Sequence, residues 1–260
     1  MNIRKYIFNV LGLKNYLKVL HKGFHFIYSI GILKNNNIYK YHYLDKSIIQ
    51  KGDYILDIGA NLGYYTKLFA NWTGNTGKVF AVEPVPAFAE IIKWGTKKYS
   101  NIILYNVALG EQEKEVTLTT PGNFGYLKTG LAHINTKNET SNNSEFSFKA
   151  TMKKGSELFK TLPRLDFIKC DIEGYEDIVI PEIKDVILKY KPIIQIETWG
   201  DQKPKIESFL TNCGYEIYDI EDSVLKLRKE MRKEDYGDLL FIHKDNNSVL
   251  DRLRTLHLAN

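Results

Sequence analysis

From residue 53 onward the chain alternates short apolar runs with amphipathic stretches. Tyr54 to Asp57, Lys78 to Glu83, Ile102 to Asn106, Leu165 to Asp171 and Pro192 to Glu197 read as strands buried on both faces. Between the first three, Tyr64 to Asn71 and a stretch through Phe88, Ile91, Ile92 and Trp94 carry helical spacing. This rhythm predicts a doubly wound α/β fold, with a parallel sheet covered by helices on both faces. Tyr215 to Ile220 and Asp238 to His243 add two strands joined by a charged, helix-like segment. A seven-stranded sheet ending in an antiparallel hairpin is the simplest assembly. Glu115 to Thr119 and Phe146 to Ala150 alternate like an inserted hairpin, at about residues 115–150. Asn135 to Glu145 within it lacks the apolar content to pack and is expected to be a mobile surface loop. Pro121 to His133, rich in glycine and aromatic side chains, is the kind of inserted loop that grips substrate over strand ends.

Three parts follow: a helical extension over 1–45, an α/β domain over 46–245 and a C-terminal tail over 246–260. In the extension, Tyr6, Ile7, Val10, Leu11, Leu13, Tyr16, Leu17 and Leu20 recur at helical spacing among Arg4, Lys5, Lys14, Lys18 and Lys22. Such a basic amphipathic helix suits either a lid packed on the main domain or an anionic membrane surface, and packing is the expected role. The longest apolar stretch there, Phe24 to Leu33, is about half of what spans a bilayer. The 260 residues carry a formal charge of +5, well short of a nucleic-acid signature. Two cysteines, Cys170 and Cys213, stand in no ligand spacing, so no thiolate metal site or disulfide framework is expected. These features predict a cytoplasmic protein, with peripheral contact at the inner membrane face through the extension as the alternative to packing.

The chemistry concentrates at four strand ends. After the first strand comes Asp57-x-Gly59-x-Asn61-x-Gly63, opening a helix. Gly59 permits a tight turn and a close backbone approach to a ligand. The helix N-terminus suits a carboxylate, and Asp57 can accept from an ammonium group. Asn61 stands where a dinucleotide fingerprint needs its second glycine. Glu83, ending the second strand, is placed to accept from ribose hydroxyls. A ligand with an amino acid at one end and a ribose at the other fits both, and S-adenosylmethionine has that shape. At the third strand end, Asn106 can bond an adenine edge while Val107 and Ala108 face the ring. At the fourth, Asp171 and Glu173 sit two residues apart before Gly174 breaks the strand. Two acids there can bind a divalent cation through oxygen, or one can act as general base on a hydroxyl. Glu197, at the next strand tip, is a lesser candidate. No residue is assigned as a dedicated metal ligand.

Together these segments resemble the FkbM family of methyltransferases, from about Gly52 to His243. The most specific parts are Gly52 to Gly63, Val82-Glu-Pro84, Asn106 to Gly110 and Ile168-Lys-Cys-Asp-Ile-Glu-Gly-Tyr-Glu176. The resemblance implies a class I methyltransferase-like, Rossmann-like fold and methylation of hydroxyls on sugars and natural products. It assigns Asp57, Gly59 and Asn61 to the methionine moiety, with Gly63 also among the cofactor-binding residues, Glu83 to the ribose, and Lys169, Asp171 and Glu173 to the neighbourhood of the transferring methyl. Lys154-Gly-Ser-Glu-Leu158 departs from the family pattern, which leaves room for a different substrate side. Two alternatives stand beside it: a non-catalytic module that binds S-adenosylmethionine, and a methyltransferase for another acceptor such as nucleic acid. Asp171-Ile-Glu-Gly-Tyr argues against the latter, which would carry an Asn/Asp-Pro-Pro-aromatic segment.

Overall fold

The computed structural model describes residues 3–121, 126–134, 144–221, 224–228 and 237–258. The strands are β1 (Tyr54–Ile58), β2 (Lys78–Val82), β3 (Ile102–Tyr105), β4 (Ala108–Leu109), β5 (Lys114–Pro121), β6 (His133–Ile134), β7 (Ser144–Lys153), β8 (Phe167–Cys170), β9 (Ile193–Thr198), β10 (Tyr215–Glu221), β11 (Val224–Leu227) and β12 (Gly237–His243). The helices are α1 (Ile3–Ser29), α2 (Lys40–Ile48), α3 (Tyr64–Thr73), α4 (Pro86–Gly95), α5 (Gly155–Phe159), α6 (Glu176–Glu182), α7 (Lys184–Tyr190), α8 (Gln202–Asn212) and α9 (Asn247–Thr255).

The main sheet runs β11-β10-β12-β9-β8-β1-β2-β3. From β9 to β3 the strands are parallel, and β12 and β10 close the other side antiparallel. Every residue of β8 is buried, as the near-continuous apolar runs demand. The chain winds outward from β1 through β2 to β3, then returns to lay β8 on the other flank of β1. The order therefore reverses between β1 and β8, and a crevice opens there at the carboxyl ends of the strands.

The sheet has eight strands rather than the seven expected, because Val224–Leu227 in the charged connection pairs as an edge strand with β10. The rest of that connection, 229–236, lies outside the described residues. The inserted hairpin is longer than its alternation suggested, with β5 and β7 antiparallel from Lys114↔Met152 to Pro121↔Ser144. β4 and β6 join it in a second, four-stranded sheet. Most of the polar stretch from Asn135, namely 135–143, falls outside the described residues.

The core has two main layers. One packs α5 to α8 under the sheet through Phe159, Ile180, Ile187 and Leu210. The other packs α2, α3 and α9 on the opposite face through Ile48, Phe69 and Leu253. The long helix α1 kinks at Gly12 (φ 67°, ψ 167°) and lays Tyr16 and Leu17 against Leu62, Val85, Phe88 and Ile91. The stretch that departs from the family pattern forms α5, with Ser156 bonded to Glu182 of α6. It packs away from the crevice.

Candidate active site and cofactor cleft

An open cleft lies at the switch point, where ligand sites of open α/β sheets are found. Gly59, Asn61, Glu83, Val107, Ala108, Asp171 and Glu173 all line it, so one site gathers residues more than a hundred positions apart. The turn after β1 is held by three left-handed residues, Gly59 (φ 81°), Asn61 (φ 52°) and Gly63 (φ 77°). The structure gives Gly59 a more specific reason than ligand approach. A Cβ there would stand 1.8 Å from the Asp171 carbonyl oxygen, so the bare backbone lets the tips of β1 and β8 meet.

Glu83 holds this turn from β2. Its Oε2 accepts from the Asn61 amide at 2.7 Å and its Oε1 from the Val85 amide at 2.8 Å. Each oxygen keeps a lone pair for a further donor. Burial pushes its carboxyl up to about 8, against those two backbone bonds. Asn106 does not line the cleft: its amide donates to the carbonyls of Glu83 (2.7 Å) and Pro84 (3.2 Å) and so braces the Glu83 loop. Val107, Leu109, Leu118, Ala132 and Ile134 form an apolar wall beyond Glu83.

Asp57 lies buried beneath the turn. Its Oδ2 accepts from the Thr66 hydroxyl of α3 at 2.5 Å, while Oδ1 has no hydrogen-bond partner among the described residues. Such an orphaned oxygen carries the desolvation cost of a carboxylate without its compensation, which a ligand donor would supply. Burial raises its carboxyl to about 6, moderated by the Lys169 ammonium and the Thr66 bond.

The register explains how Lys169 gets there. Asp57, Lys169 and Gln195 are level neighbours on β1, β8 and β9, so their side chains share one face. Lys169 is buried, over the Tyr65 ring at 4.7 Å, with its ammonium 2.8 Å from Asp171 Oδ2. Burial alone would lower its pKa, but Asp171, Asp238 and Asp57 outweigh that and hold it charged. Lys169 sits behind Asp171 and does not line the cleft.

Three carboxylates converge beyond it. Asp171, Glu173 and Glu197 each bring an oxygen within 4.8 Å of the others. Burial works against Asp171 ionising, yet Lys169 and a hydrogen bond from Glu197 outweigh it and keep its carboxyl below the ordinary value. Glu197 is pushed up to about 9, by burial and by Asp171, so this pair holds one proton and Glu197 carries it. Glu173 is raised to about 7 by burial and by the charges of Asp171 and Glu176. It also occupies the left-handed region (φ 57°), uncommon for a residue with a side chain.

Sequence reasoning missed several residues. Glu176 accepts from the Ile172 amide at 2.7 Å and the Gly174 amide at 3.0 Å, and so shapes the turn that carries Glu173. An acid in the first turn of a helix, just after a glycine, was the available signal. Thr129 and Gly130 line the cleft, and the Thr129 carbonyl accepts from the Asn61 side chain at 2.8 Å. That contact spans the insert and the first motif, and no local pattern encodes it.

The family model described as the methyltransferase FkbM domain matches residues 57–217. No curated protein matches. Among solved structures, a methyltransferase FkbM from Methylobacillus flagellatus KT is similar at 14% identity and a TM-score of 0.51. That match covers 75% of this chain and 44% of the other, so this chain spans under half the length of that relative. A precorrin-6y C5,15-methyltransferase from Geobacter metallireducens GS-15 matches at 17% identity, over 78% of this chain and 86% of the other, with a TM-score of 0.43. An S-adenosylmethionine-dependent O-methyltransferase from Thermotoga maritima matches at 14% identity, over 78% and 64%, with a TM-score of 0.44. At such identities the likeness is one of fold.

Proposed function

The chain belongs to the FkbM methyltransferase family, and from that premise we propose that it moves a methyl group from S-adenosylmethionine to a hydroxyl of a sugar, a glycan or a small natural product. The residues lining the cleft, and Asp57 beneath its turn, fit such a cofactor. The orphaned Asp57 oxygen suits the ammonium, the Glu83 oxygens suit the ribose hydroxyls, and the apolar wall from Val107 to Ile134 suits a flat base. The cofactor supplies an electrophilic methyl on sulfur, and the protein's part is alignment and removal of the hydroxyl proton.

The observation that carries the hydroxyl reading is the pair of unlike acids at the β8 tip. Asp171, tied to Lys169 and Glu197, is an orienting acceptor for the hydroxyl. Glu173, near neutrality and lining the cleft, is the base that takes its proton. The three carboxylates also have the spacing of a divalent-cation site. Lys169 answers the charge of Asp171 and a proton that of Glu197, which leaves Glu173 as the carboxyl that changes its protonation in the proposed proton transfer.

The acceptor is sought by incubating the protein and cofactor with cell-surface glycans and nucleotide sugars and reading the methyl mass shift. With an acceptor in hand, Glu173→Gln should lower turnover about 10²–10⁴-fold while cofactor affinity holds. The wild-type rate should rise with pH through about 7, where Glu173 ionises, and the variant should lack that rise. Undiminished turnover in the variant refutes the assignment. No calorimetric binding of S-adenosylmethionine refutes the enzyme reading altogether.

A further inference from the structure

The first 44 residues hold seven lysines and arginines and no acidic residue; the first acid is Asp45. Removing those seven charges from the formal +5 leaves −2 on the remaining chain, so all of the positive excess resides in this segment. The exposed apolar side chains concentrate in the same place. Among the described residues, nine of the fourteen large exposed apolar side chains fall between Ile3 and Ile38. They follow the helix geometry. Before the Gly12 kink, Ile3 (72% exposed), Tyr6 and Val10 recur at spacings of three and four. After it, Val19 and Phe26 (65%) recur at a spacing of seven, and Ile30 follows just past the helix end. Ile32 and Ile38 come next, beside the exposed Lys34. Scattered surface apolar groups are ordinary, but a concentration of them on an all-cationic segment is not.

We propose that this outer face of α1, with the turns that follow it, seats the protein on the surface of an anionic lipid bilayer. The chemistry selects this partner. Apolar side chains between lysines gain burial in the headgroup and acyl boundary while the ammonium groups meet lipid phosphates. A nucleic-acid backbone would meet the lysines but leave Ile3, Val10, Phe26 and Ile30 unrewarded. Lys14, Lys18 and Lys22 turn toward Glu90 and Trp94 of α4, but a second copy would still set the exposed Lys5 and Lys34 against like charges. The contact is superficial, since no helix among the described residues is long and apolar enough to cross a membrane.

The inner face of the same helix is packed, and packed next to the cleft. Tyr16 and Leu17 press on Leu62 and Val85, the neighbours of Asn61 and Pro84. His21 Nδ1 lies 2.8 Å from the Leu62 carbonyl, within the cofactor turn itself. Gly95 makes room for it, since a Cβ there would stand 2.3 Å from the imidazole. Packed helix and membrane helix are thus the two faces of one element. Membrane seating would hold the cleft about one helix diameter, roughly 10 Å, from the bilayer.

The test is co-sedimentation of the full chain with vesicles of phosphatidylcholine alone, or with an equal part of phosphatidylglycerol. The expected result is binding at least about tenfold tighter to the anionic vesicles, falling as salt is added. A triple variant, Val10→Asp, Phe26→Asp and Ile30→Asp, should weaken it by about tenfold or more. Lys5→Gln with Lys34→Gln should cost about fivefold per charge. S-adenosylmethionine affinity, unchanged in both variants, shows that each remains folded. Equal binding to neutral vesicles, no binding, or full binding by the triple variant overturns the proposal. So does a dimer in sedimentation equilibrium that the triple variant dissolves. Binding to an oligonucleotide in preference to vesicles, lost with the lysines alone, reassigns the face. The outcome is independent of the acceptor, since the readouts are lipid and cofactor binding.

Discussion

If Glu83 accepts from both ribose hydroxyls, cofactor affinity must depend on pH in a direction the structure fixes. Its buried carboxyl is pushed up to about 8 without ligand, and only the ionised form keeps a strong acceptor site on each oxygen for two donating hydroxyls. Binding below that pH therefore requires release of a proton, at about 1.4 kcal/mol per pH unit. At pH about 6, two units below, the penalty reaches about 2.7 kcal/mol, or roughly a hundredfold in affinity. Affinity should rise steeply from pH about 6 and level off above 8. The clean ligand is 5′-methylthioadenosine, which keeps the base and ribose but has no amino acid, so Asp57 and the ligand's own amine drop out. Isothermal titration in buffers of different ionisation enthalpy should show about one proton released per ligand at pH about 6 and none at 9. Glu83→Gln should bind weakly with a flat profile. Wild-type affinity that varies less than about threefold across this range refutes either the buried titration or the ribose pairing.

Two further outcomes test how the site is built. Gly59→Ala places a methyl 1.8 Å from the Asp171 carbonyl at a φ of 81°, and should cost about 3 kcal/mol or more in urea denaturation. Gly23→Ala in α1, where nothing lies within 4 Å, should be neutral or stabilise by up to about 1 kcal/mol. Lys169→Met leaves Asp57, Asp171 and Asp238 without their shared cation and should destabilise by about 3–5 kcal/mol. That deficit should be larger at neutral pH than near pH 5, because protonation of the orphaned carboxyls relieves it; a pH-independent deficit would mean the loss is one of packing.

The doubly wound core was legible because strands buried on both faces leave continuous apolar runs, and β1, β2 and β9 are of that kind. The edge strand β11 was not, since an edge needs one apolar side only and Val224–Leu227 carries Lys226 among its few residues. At the site, residue types at strand tips were enough to gather Gly59, Asn61, Glu83, Asp171 and Glu173 on one cleft. What they could not reveal was which neighbour each side chain serves. Asn106 has the composition of a base reader, but its amide is committed to the Glu83 loop. Gly59 has the composition of a turn kept bare for a ligand, but the atom that forbids a Cβ belongs to Asp171, 112 residues later. These are tertiary facts, fixed by the return of β8 beside β1.

That return also decides how the acids divide their labour. Lys169 lies level with Asp57 and Gln195 because β8 lies between β1 and β9, and a two-residue step along the strand brings Asp171 within reach of the same ammonium. A carboxylate so compensated stays ionised but is a feeble base. Glu173, two residues on and past the end of the strand, turns away into a left-handed position that puts it in the cleft, without a cation of its own and against two like charges. A carboxyl held below its ordinary value and one raised to about 7 differ in basicity, and Glu173 is the stronger proton acceptor of the two. On the proposed function Asp171 orients and Glu173 accepts, and the side chain that separates them is one that does not line the cleft.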